Sequence, residues 1–369
     1  MKKTFYCLHF FVLIFISTAY AEETIKIAAI FGLTGVAAEG YKDSIKGVQI
    51  AEKEVNAHGG VLGKKINLVI LDNLSTPIGS SIAAENAAKL NVAAIIGPTW
   101  SSHAIAAAKT AQAEKIPMLS EAATNPKVTK TGDYIFRMCY TDDFQGRVMA
   151  EFARHHLKAD TAIILNDVIS DYSITLTRTF QSSFEKLGGK ILLELKYKHK
   201  QKKFSNLIAQ AKKTESDVLF IPGHHESGQI IKEAADAGIS AVPLGGDGWD
   251  FKGFLSKGGK HLKQGYYCSH WSEAMNSDVS RSFVKKYKLS GDIFPGTALA
   301  YDAVMLLSDA IKRAGSADRA KIRDAIADTR NFKGVTGTIS FDSNGDPIKR
   351  AVIIEIRKGN RYYFKTTVP

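Results

Sequence analysis

Cysteine is scarce in this chain, with three residues among 369. Cys7, Cys139 and Cys268 lie far apart in the sequence, and none of them belongs to a CxxC pair. Structural zinc sites are built from closely spaced cysteine and histidine ligands. The sequence therefore predicts no metal site.

Long apolar runs are equally few. The one candidate, residues 8–16, is shorter than the roughly twenty residues that a membrane-spanning helix needs. Two lysines precede it, and an Ala-Tyr-Ala sequence follows it and ends at Ala21, an order typical of a secretory signal peptide. We predict a signal peptide over residues 1–21 and a soluble periplasmic protein, with a short membrane anchor as the alternative. Cys7 lies too early for a lipoprotein cleavage site, so no lipid anchor is expected.

Acidic residues are outnumbered, since 49 Lys and Arg against 37 Asp and Glu give a net charge of +12. An excess of positive charge is typical of nucleic-acid-binding proteins, but an exported protein does not meet nucleic acid, and we predict no such partner. The main basic run, residues 196–203, follows an apolar strand pattern and is interpreted as a solvated strand end. Docking on an acidic membrane or protein surface is the alternative.

Motifs of the common enzyme classes are missing. A dinucleotide-binding turn needs G-x-G-x-x-G after the first strand, whereas residues 31–36 read FGLTGV. The sequence has no P-loop and no G-x-S-x-G nucleophile elbow. Residues 282–285 match S-x-x-K, but they lie in an amphipathic helical pattern and are interpreted as a chance match. We predict that the protein is not an enzyme and that it holds no cofactor.

The sequence does contain a regular alternation of apolar strands and amphipathic helices. The predicted strands are residues 25–30, 66–71, 92–96, 116–119, 161–165, 191–195, 218–221 and 242–244. Helical periodicity covers residues 44–56, 80–90, 101–114, 145–156, 173–187, 204–213, 227–237, 280–288, 298–314 and 319–327. A β-rich tail follows at residues 338–341 and 351–356. This alternation predicts an α/β protein with two doubly wound parallel sheets, because the pattern runs twice with a break near residues 136–141.

Polar groups follow the predicted strands of the first half. In doubly wound sheets ligands bind beyond the carboxyl ends of the strands. Trp100 lies just before a predicted helix and Ser101 begins it. Ser101 is therefore a predicted N-cap and, with the N–H groups of the helix start, a predicted carboxylate site. A plain helix cap is the alternative. After the next strand, Ala122 would allow a close backbone approach and Thr124 would add a hydroxyl donor.

The strand ends of the second half carry Tyr172, His224 and Asp247. The carboxylate of Asp247 suits an ammonium group, although an aspartate bonded to its own glycine-rich turn is the alternative. His224 and His225 are adjacent and would face opposite ways on extended backbone, so His224 is interpreted as a pocket wall and not as half of a metal site. Carboxylate-binding groups in one half and an anion in the other fit a zwitterion held between two lobes.

Five short motifs occur in order: NAHGGVLG at 56–63, IIGP at 95–98, SEAATNP at 120–126, GGDG at 245–248 and GVTGTISFD at 334–342. With them the whole mature chain resembles the branched-chain amino-acid (leucine/isoleucine/valine) type of periplasmic binding proteins, which serve ABC transporters. The resemblance implies a type I fold whose two lobes are joined by a three-segment hinge. It also implies the boundaries: residues 22–140 and 268–331 for lobe 1, and 141–267 and 332–369 for lobe 2.

The resemblance further implies roles for the candidate residues. The ligand carboxylate would meet the hydroxyl of Ser101, the backbone at Ala122 and the side chain of Thr124, and Asp247 would accept the ligand's ammonium group. Tyr172, His224 and Trp100 complete the predicted ligand-binding set. The lobes would close around the ligand, and the protein, expected to be a monomer, would deliver it to a membrane permease.

Two departures from the family pattern concern specificity. Many relatives have an aromatic ring where this chain has Gly40, and they commonly have two tyrosines where it has His224 and His225. Trp100 is also bulkier than the usual residue before the serine. We therefore predict an amino acid or related zwitterion without naming its side chain. An exported sensor of the same fold and a receptor for a small aromatic or aliphatic carboxylate lacking an amine are the alternatives.

The two cysteines of the mature chain fall at two of the implied crossings. A disulfide between Cys139 and Cys268 is a hypothesis, and two buried free thiols are the alternative.

Overall fold

The computed structural model describes residues 23–198, 201–288 and 293–367. The predicted signal peptide and two residues of the basic run, 199 and 200, lie outside the described residues. Within the described part of the chain, no helix is long and apolar enough to cross a membrane.

The first sheet is five-stranded and wholly parallel, with strand order β2-β1-β3-β4-β5. Its strands are β1 (Ile25–Phe31), β2 (Ile66–Asp72), β3 (Ala94–Ile96), β4 (Met118–Ser120) and β5 (Ile135–Arg137). The helices between them are α1 (Ala38–Ala57), α2 (Pro77–Lys89) and α3 (Ser101–Ala113). Alternate residues of a strand point to opposite faces. Ile27 and Ala29 accordingly pack with α1, whereas Ala28 and Ile30 pack with α2 and α3.

The second sheet is seven-stranded, with order β14-β13-β10-β9-β8-β6-β7. Its strands are β6 (Thr161–Asp167), β7 (Lys190–Tyr197), β8 (Val218–Phe220), β9 (Val242–Gly245), β10 (Gln264–Ser269), β13 (Val352–Arg357) and β14 (Asn360–Thr366). Its helices are α4 (Asp142–Glu151), α5 (Asp171–Lys186), α6 (Ser205–Thr214), α7 (Glu226–Asp236) and the short α8 (Lys252–Ser256). Strands β6 to β10 are parallel, and β13 and β14 extend the sheet in antiparallel fashion. Ile164 packs with α4 and α5, and its neighbours Ile163 and Leu165 pack with α6 and α7.

The remaining elements return to the first sheet. They are α9 (Asp278–Tyr287), α10 (Pro295–Ala314), α11 (Arg319–Ala327) and the small hairpin of β11 (Phe332–Gly334) and β12 (Gly337–Ile339). Helix α10 packs beside α1 on the same face, where both bury apolar side chains in one cluster. The molecule is therefore a two-lobed, doubly wound α/β protein, as predicted.

The chain passes between the lobes three times. The first passage joins β5 to α4, the second joins β10 to α9, and the third precedes β13. Val335, Ile339 and Phe341 pack in the core of the first lobe, which favours a third crossing after Phe341. The buried ammonium of Lys349 donates to the carbonyl oxygen of Met138 at 3.1 Å, so a side chain of the third crossing holds the backbone of the first.

Candidate ligand-binding site

A cavity of about 400 Å³ lies in the cleft between the lobes. Trp100 and Ser101 line it from the first lobe and His224 lines it from the second, so three of the residues predicted from sequence share one space. Each follows the carboxyl end of a parallel strand, which is the usual position of a ligand in a doubly wound sheet.

The prediction that Ser101 is the N-cap of α3 is wrong, because Ser101 is the first residue of the helix. The cap position is held by Trp100, whose extended backbone (φ −79°, ψ 136°) leads into the helix without a side-chain cap. The hydroxyl oxygen of Ser101 instead accepts the N–H of Asn125 at 3.1 Å. This bond joins two strand ends, and the hydroxyl hydrogen of Ser101 can still be donated because a serine oxygen both accepts and donates.

Ala122 and Thr124 lie in the loop that follows β4, with Ala122 half-buried and Thr124 buried. The loop is held from below by Arg137, whose guanidinium donates to the carbonyl oxygen of Ala123 at 2.7 Å. The carbonyl oxygen of Thr124 accepts the N–H of Asp142 at 2.8 Å, which ties the loop to the start of α4. These two hydrogen bonds fix the backbone at Ala123 and Thr124.

Asp247 begins the turn after β9, and its buried carboxylate is held by residues from elsewhere in the chain. One carboxylate oxygen accepts from Nε2 of Gln145 at 2.9 Å, and the other lies 3.1 Å from Nε2 of His270. The backbone N–H of Asp247 donates to the side-chain oxygen of Gln145 at 3.2 Å. These contacts disfavour the alternative in which Asp247 merely bonds its own turn.

The surroundings of Asp247 are acidic. Nε2 of Gln145 also donates to Asp142 at 2.9 Å, so a single amide bridges two buried carboxyl groups. Burial raises the pKa of Asp142 well above its usual value, and the nearby Asp247 charge raises it further. Burial also raises the pKa of Asp250 to about 7. A buried cluster of this kind favours a cation, because an opposite charge relieves both the repulsion and the desolvation.

Aromatic and imidazole rings from both lobes meet at the same place. The Trp100 ring stacks on the His224 ring, with centroids 4.5 Å apart and planes inclined by 28°. The Tyr172 ring lies 4.9 Å from that of His224, and the Tyr172 hydroxyl accepts the N–H of Gly248 at 3.1 Å. Tyr172 therefore connects the ring cluster to the turn that carries Asp247.

Tyr41 does not line the cleft mouth but is buried behind it. Its hydroxyl lies 2.8 Å from Nδ1 of His103, and its ring centroid lies 6.4 Å from that of Trp100. A Cβ atom at Gly40 would contact the Phe251 ring of the second lobe at 3.4 Å. Gly40 thus faces a ring of the opposite lobe.

Direct hydrogen bonds also join the lobes. The side-chain amide of Asn125 donates to the carbonyl oxygen of Asp171 at 2.7 Å and to the hydroxyl of Thr175 at 2.8 Å. On the surface, the ammonium of Lys127 lies 3.3 Å from the carboxylate of Asp171. The first turn of α5 therefore rests against the loop that carries Ala122 and Thr124.

Sequence reasoning missed three residues that organise this site: Asn125, Gln145 and His270. Asn125 lies inside the SEAATNP motif, so its position could have been noted. Gln145 lies in the first turn of α4 and His270 directly follows β10, and nothing in their local sequence indicates contact with Asp247.

No group of residues suited to a metal ion occurs in the described part of the chain. Cys139 and Cys268 are both buried and carry free thiols in this structure, so the hypothesised disulfide is not formed here. The hydroxyl of Tyr140 donates to the sulfur of Cys268 at 3.3 Å.

Comparison with known proteins identifies the family to which this chain belongs. The model of the periplasmic binding protein family matches residues 24–361. The chain belongs to this family.

Three of the similar proteins have names that refer to branched-chain amino acids. The Leu/Ile/Val-binding protein homolog 1 of Brucella suis is 32% identical over 305 residues, which cover 82% of each chain. The leucine-binding protein LivK of Thermotoga maritima is 35% identical, with a TM-score of 0.89 over 94% of this chain and 99% of its own. The substrate-binding protein LivJ of Streptococcus pneumoniae, solved in complex with isoleucine, is 29% identical, with a TM-score of 0.89 over 94% and 100%.

Proposed function

We propose that this family member is the solute-binding protein of an ABC transporter and that it closes its lobes around an amino acid or a related small zwitterion. One observation carries the proposal. The buried carboxylate of Asp247, held by Gln145 and His270, belongs to the lobe opposite Ser101. An anion on one side of a cleft and hydroxyl and N–H donors on the other match the two charges of an amino acid.

The proposed roles follow from this arrangement. The ligand carboxylate is held by the hydroxyl of Ser101, the backbone at Ala122 and the hydroxyl of Thr124, and its ammonium group by Asp247. Backbone N–H groups at the start of α3 add to the carboxylate site, since the first N–H groups of a helix have no partner within the helix. Trp100, Tyr172 and His224 form the walls.

Closure follows from the division of the site between the lobes. Each lobe alone offers one half of the contacts, so the binding free energy is realised fully only when the lobes meet. The hinge would consist of the three crossings, the third of which is proposed to follow Phe341. The buried hydrogen bond from Lys349 to Met138 would hold two of these crossings together. In this proposal the protein binds and releases its ligand and does not catalyse a reaction.

The cellular setting is part of the same proposal. A signal peptide over residues 1–21 would direct the chain to the periplasm, and the closed monomer would dock on a membrane permease. The names of the relatives, which include Leu/Ile/Val-binding proteins and a complex with isoleucine, support a transport receptor.

A thermal-shift screen of ligand-stripped mature protein tests the proposal. The panel holds the common amino acids, their amides and the matching acids without an amine. A ligand at a thousand times its Kd stabilises the native state by about 4 kcal/mol, which a melting curve resolves readily. Stabilisation by amino acids but not by the deaminated acids supports the proposal. Stabilisation only by acids without an amine would disprove the role of Asp247, and no stabilisation by any member would disprove the ligand class.

A further inference from the structure

The ring cluster of the cleft is built from both lobes. His103 lies in α3 of the first lobe and Trp100 directly precedes that helix, and their ring centroids are 5.4 Å apart. His224 comes from the loop after β8, and its ring faces that of Trp100 at 4.5 Å. All three residues line the 400 Å³ cleft.

These rings are adjacent to the proposed anchors of the ligand. Trp100 directly precedes Ser101, the proposed carboxylate contact. Tyr172, whose ring contacts His224, accepts a hydrogen bond from the residue after Asp247, the proposed ammonium contact. A side chain carried by the carbon atom between those two charges would therefore meet the faces of Trp100 and His224.

We infer that the ligand carries a planar aromatic ring, held against the faces of Trp100 and His224. This inference rests on the proposed function and names the chemical class of the ligand's side chain. Stacked ring pairs gain attraction beyond the area that they bury, whereas a branched aliphatic chain gains only the burial. The cleft volume lies within the usual range of small-molecule sites, about 300–1,000 Å³.

Ring insertion is compatible with hinge motion. The Trp100 and His224 rings are 4.5 Å apart, and a planar group between them needs about 7 Å, because each stacked contact takes about 3.5 Å. The two rings belong to different lobes, so a small opening of the hinge separates them without disturbing either core. The stack seen here closes the space that the ligand ring would enter.

Calorimetric titration of ligand-stripped protein with phenylalanine, leucine, isoleucine and valine tests the inference. Phenylalanine is expected to bind at least tenfold more tightly than the other three. Trp100→Leu should abolish that preference, because it should weaken the binding of phenylalanine at least tenfold more than the binding of leucine. Tyr363→Leu is the matched control, since it removes an exposed ring of β14 and should leave all four affinities unchanged.

Fluorescence supplies a second measurement. Of the three tryptophans, Trp249 and Trp271 are fully buried and Trp100 lines the cleft, so we expect phenylalanine to change mainly the emission of Trp100. The change should disappear in Trp100→Phe, while calorimetry of the same variant should still show the preference for phenylalanine over leucine because a ring remains at this position.

The outcomes separate this inference from the proposed function. Leucine, isoleucine or valine binding as tightly as phenylalanine would overturn the aromatic ring and leave the amino-acid receptor standing. An unaltered preference in Trp100→Leu would likewise overturn it. Phenylacetate is titrated in the same way, and its binding in the absence of phenylalanine binding would support the ring and overturn the ammonium role of Asp247. Binding of none of these compounds would overturn both.

Discussion

Asp247 and His270 form a buried pair, with 3.1 Å between a carboxylate oxygen and Nε2 of the imidazole. His270 directly follows β10, where the chain leaves the second lobe for the first. A carboxylate only accepts hydrogen bonds, so Nε2 of His270 carries the hydrogen. The residue proposed to hold the ligand's ammonium group is thus connected by one hydrogen bond to a hinge crossing.

Replacement of Asp247 by asparagine tests its proposed role. The amide keeps the shape but removes the charge, so amino-acid affinity should fall about thirtyfold or more, since loss of one partner of a desolvated charge pair costs about 2–5 kcal/mol. Calorimetry measures the loss. Asp236→Asn, on an exposed helix end, serves as the control and should bind like the wild type. Normal binding by Asp247→Asn would refute the assignment.

His270 should make stability depend on pH. Burial lowers its pKa below 6.5, although Asp247 partly opposes the shift. The unfolded chain then binds more protons than the native state, so the stabilisation is present above pH 6.5 and is lost as the pH falls toward the lower native pKa. Buried carboxyl groups such as Glu121 contribute the opposite slope, so the test is the difference in free energy of unfolding between the wild type and His270→Gln. As the pH falls from 7.5 to 5, urea unfolding should show the wild type losing stability relative to the variant.

The control for His270 is an exposed histidine. His261→Gln lies on the surface, and its pH profile should follow that of the wild type. If His270→Gln loses stability on acidification as steeply as the wild type, another group is responsible for the slope.

Glu121 should contribute to the pH dependence of the free energy of unfolding with the opposite sign. Burial raises its pKa to about 7, against a usual value of 4.5, while the hydroxyl of Thr99 bonds its carboxyl group. The native state then binds more protons, so stability is present below pH 4.5 and is lost as the pH rises through about 7.

The Glu121→Gln variant checks this sign. It removes the titration and should gain up to about 3 kcal/mol over the wild type between pH 4.5 and 8, the equivalent of a shift of two to three pKa units. Urea unfolding across that range measures the gain. Glu114→Gln, at an exposed helix end, is the control. A difference between Glu121→Gln and wild type that stays constant with pH would contradict the prediction.

Much of the fold could be predicted because its elements have strong local patterns. The predicted strand at 25–30 and helix at 101–114 differ from β1 and α3 by one residue. The start of α1 was placed at residue 44, yet the helix begins at Ala38, because Tyr41 packs into the core one turn earlier than the apolar pattern suggested. Strand β14 was not predicted, since this edge strand is half-exposed and mixes charges with aromatic residues.

The site was predictable only in part, for a different reason. Strand ends identify Ser101, Thr124 and Asp247, because the topology of a parallel sheet brings such positions to one edge. The partners of Asp247 are Gln145, on a helix of the same lobe, and His270, at a crossing between the lobes, and both contacts depend on tertiary packing between elements far apart in the sequence. Local sequence carries no periodic signal for them.

The contacts between the lobes yield a final prediction, which compares two side chains of one loop. Asn125 is fully buried, and its amide makes two hydrogen bonds to α5 of the other lobe. Lys127 is two residues further on, and its ion pair joins an exposed ammonium to the half-buried carboxylate of Asp171. Buried hydrogen bonds contribute about 1 kcal/mol each, whereas exposed ion pairs contribute about 0–1 kcal/mol and weaken with salt.

Asn125→Ala should therefore lower ligand affinity about tenfold or more, mainly through faster release, because the closed form loses contacts that the open form does not make. Lys127→Ala should change affinity less than threefold, and only at low salt. Stopped-flow release rates at low and high ionic strength measure both effects. If Lys127→Ala releases the ligand as fast as Asn125→Ala, and salt reproduces that effect in the wild type, then exposed charge and not the buried amide holds the lobes together.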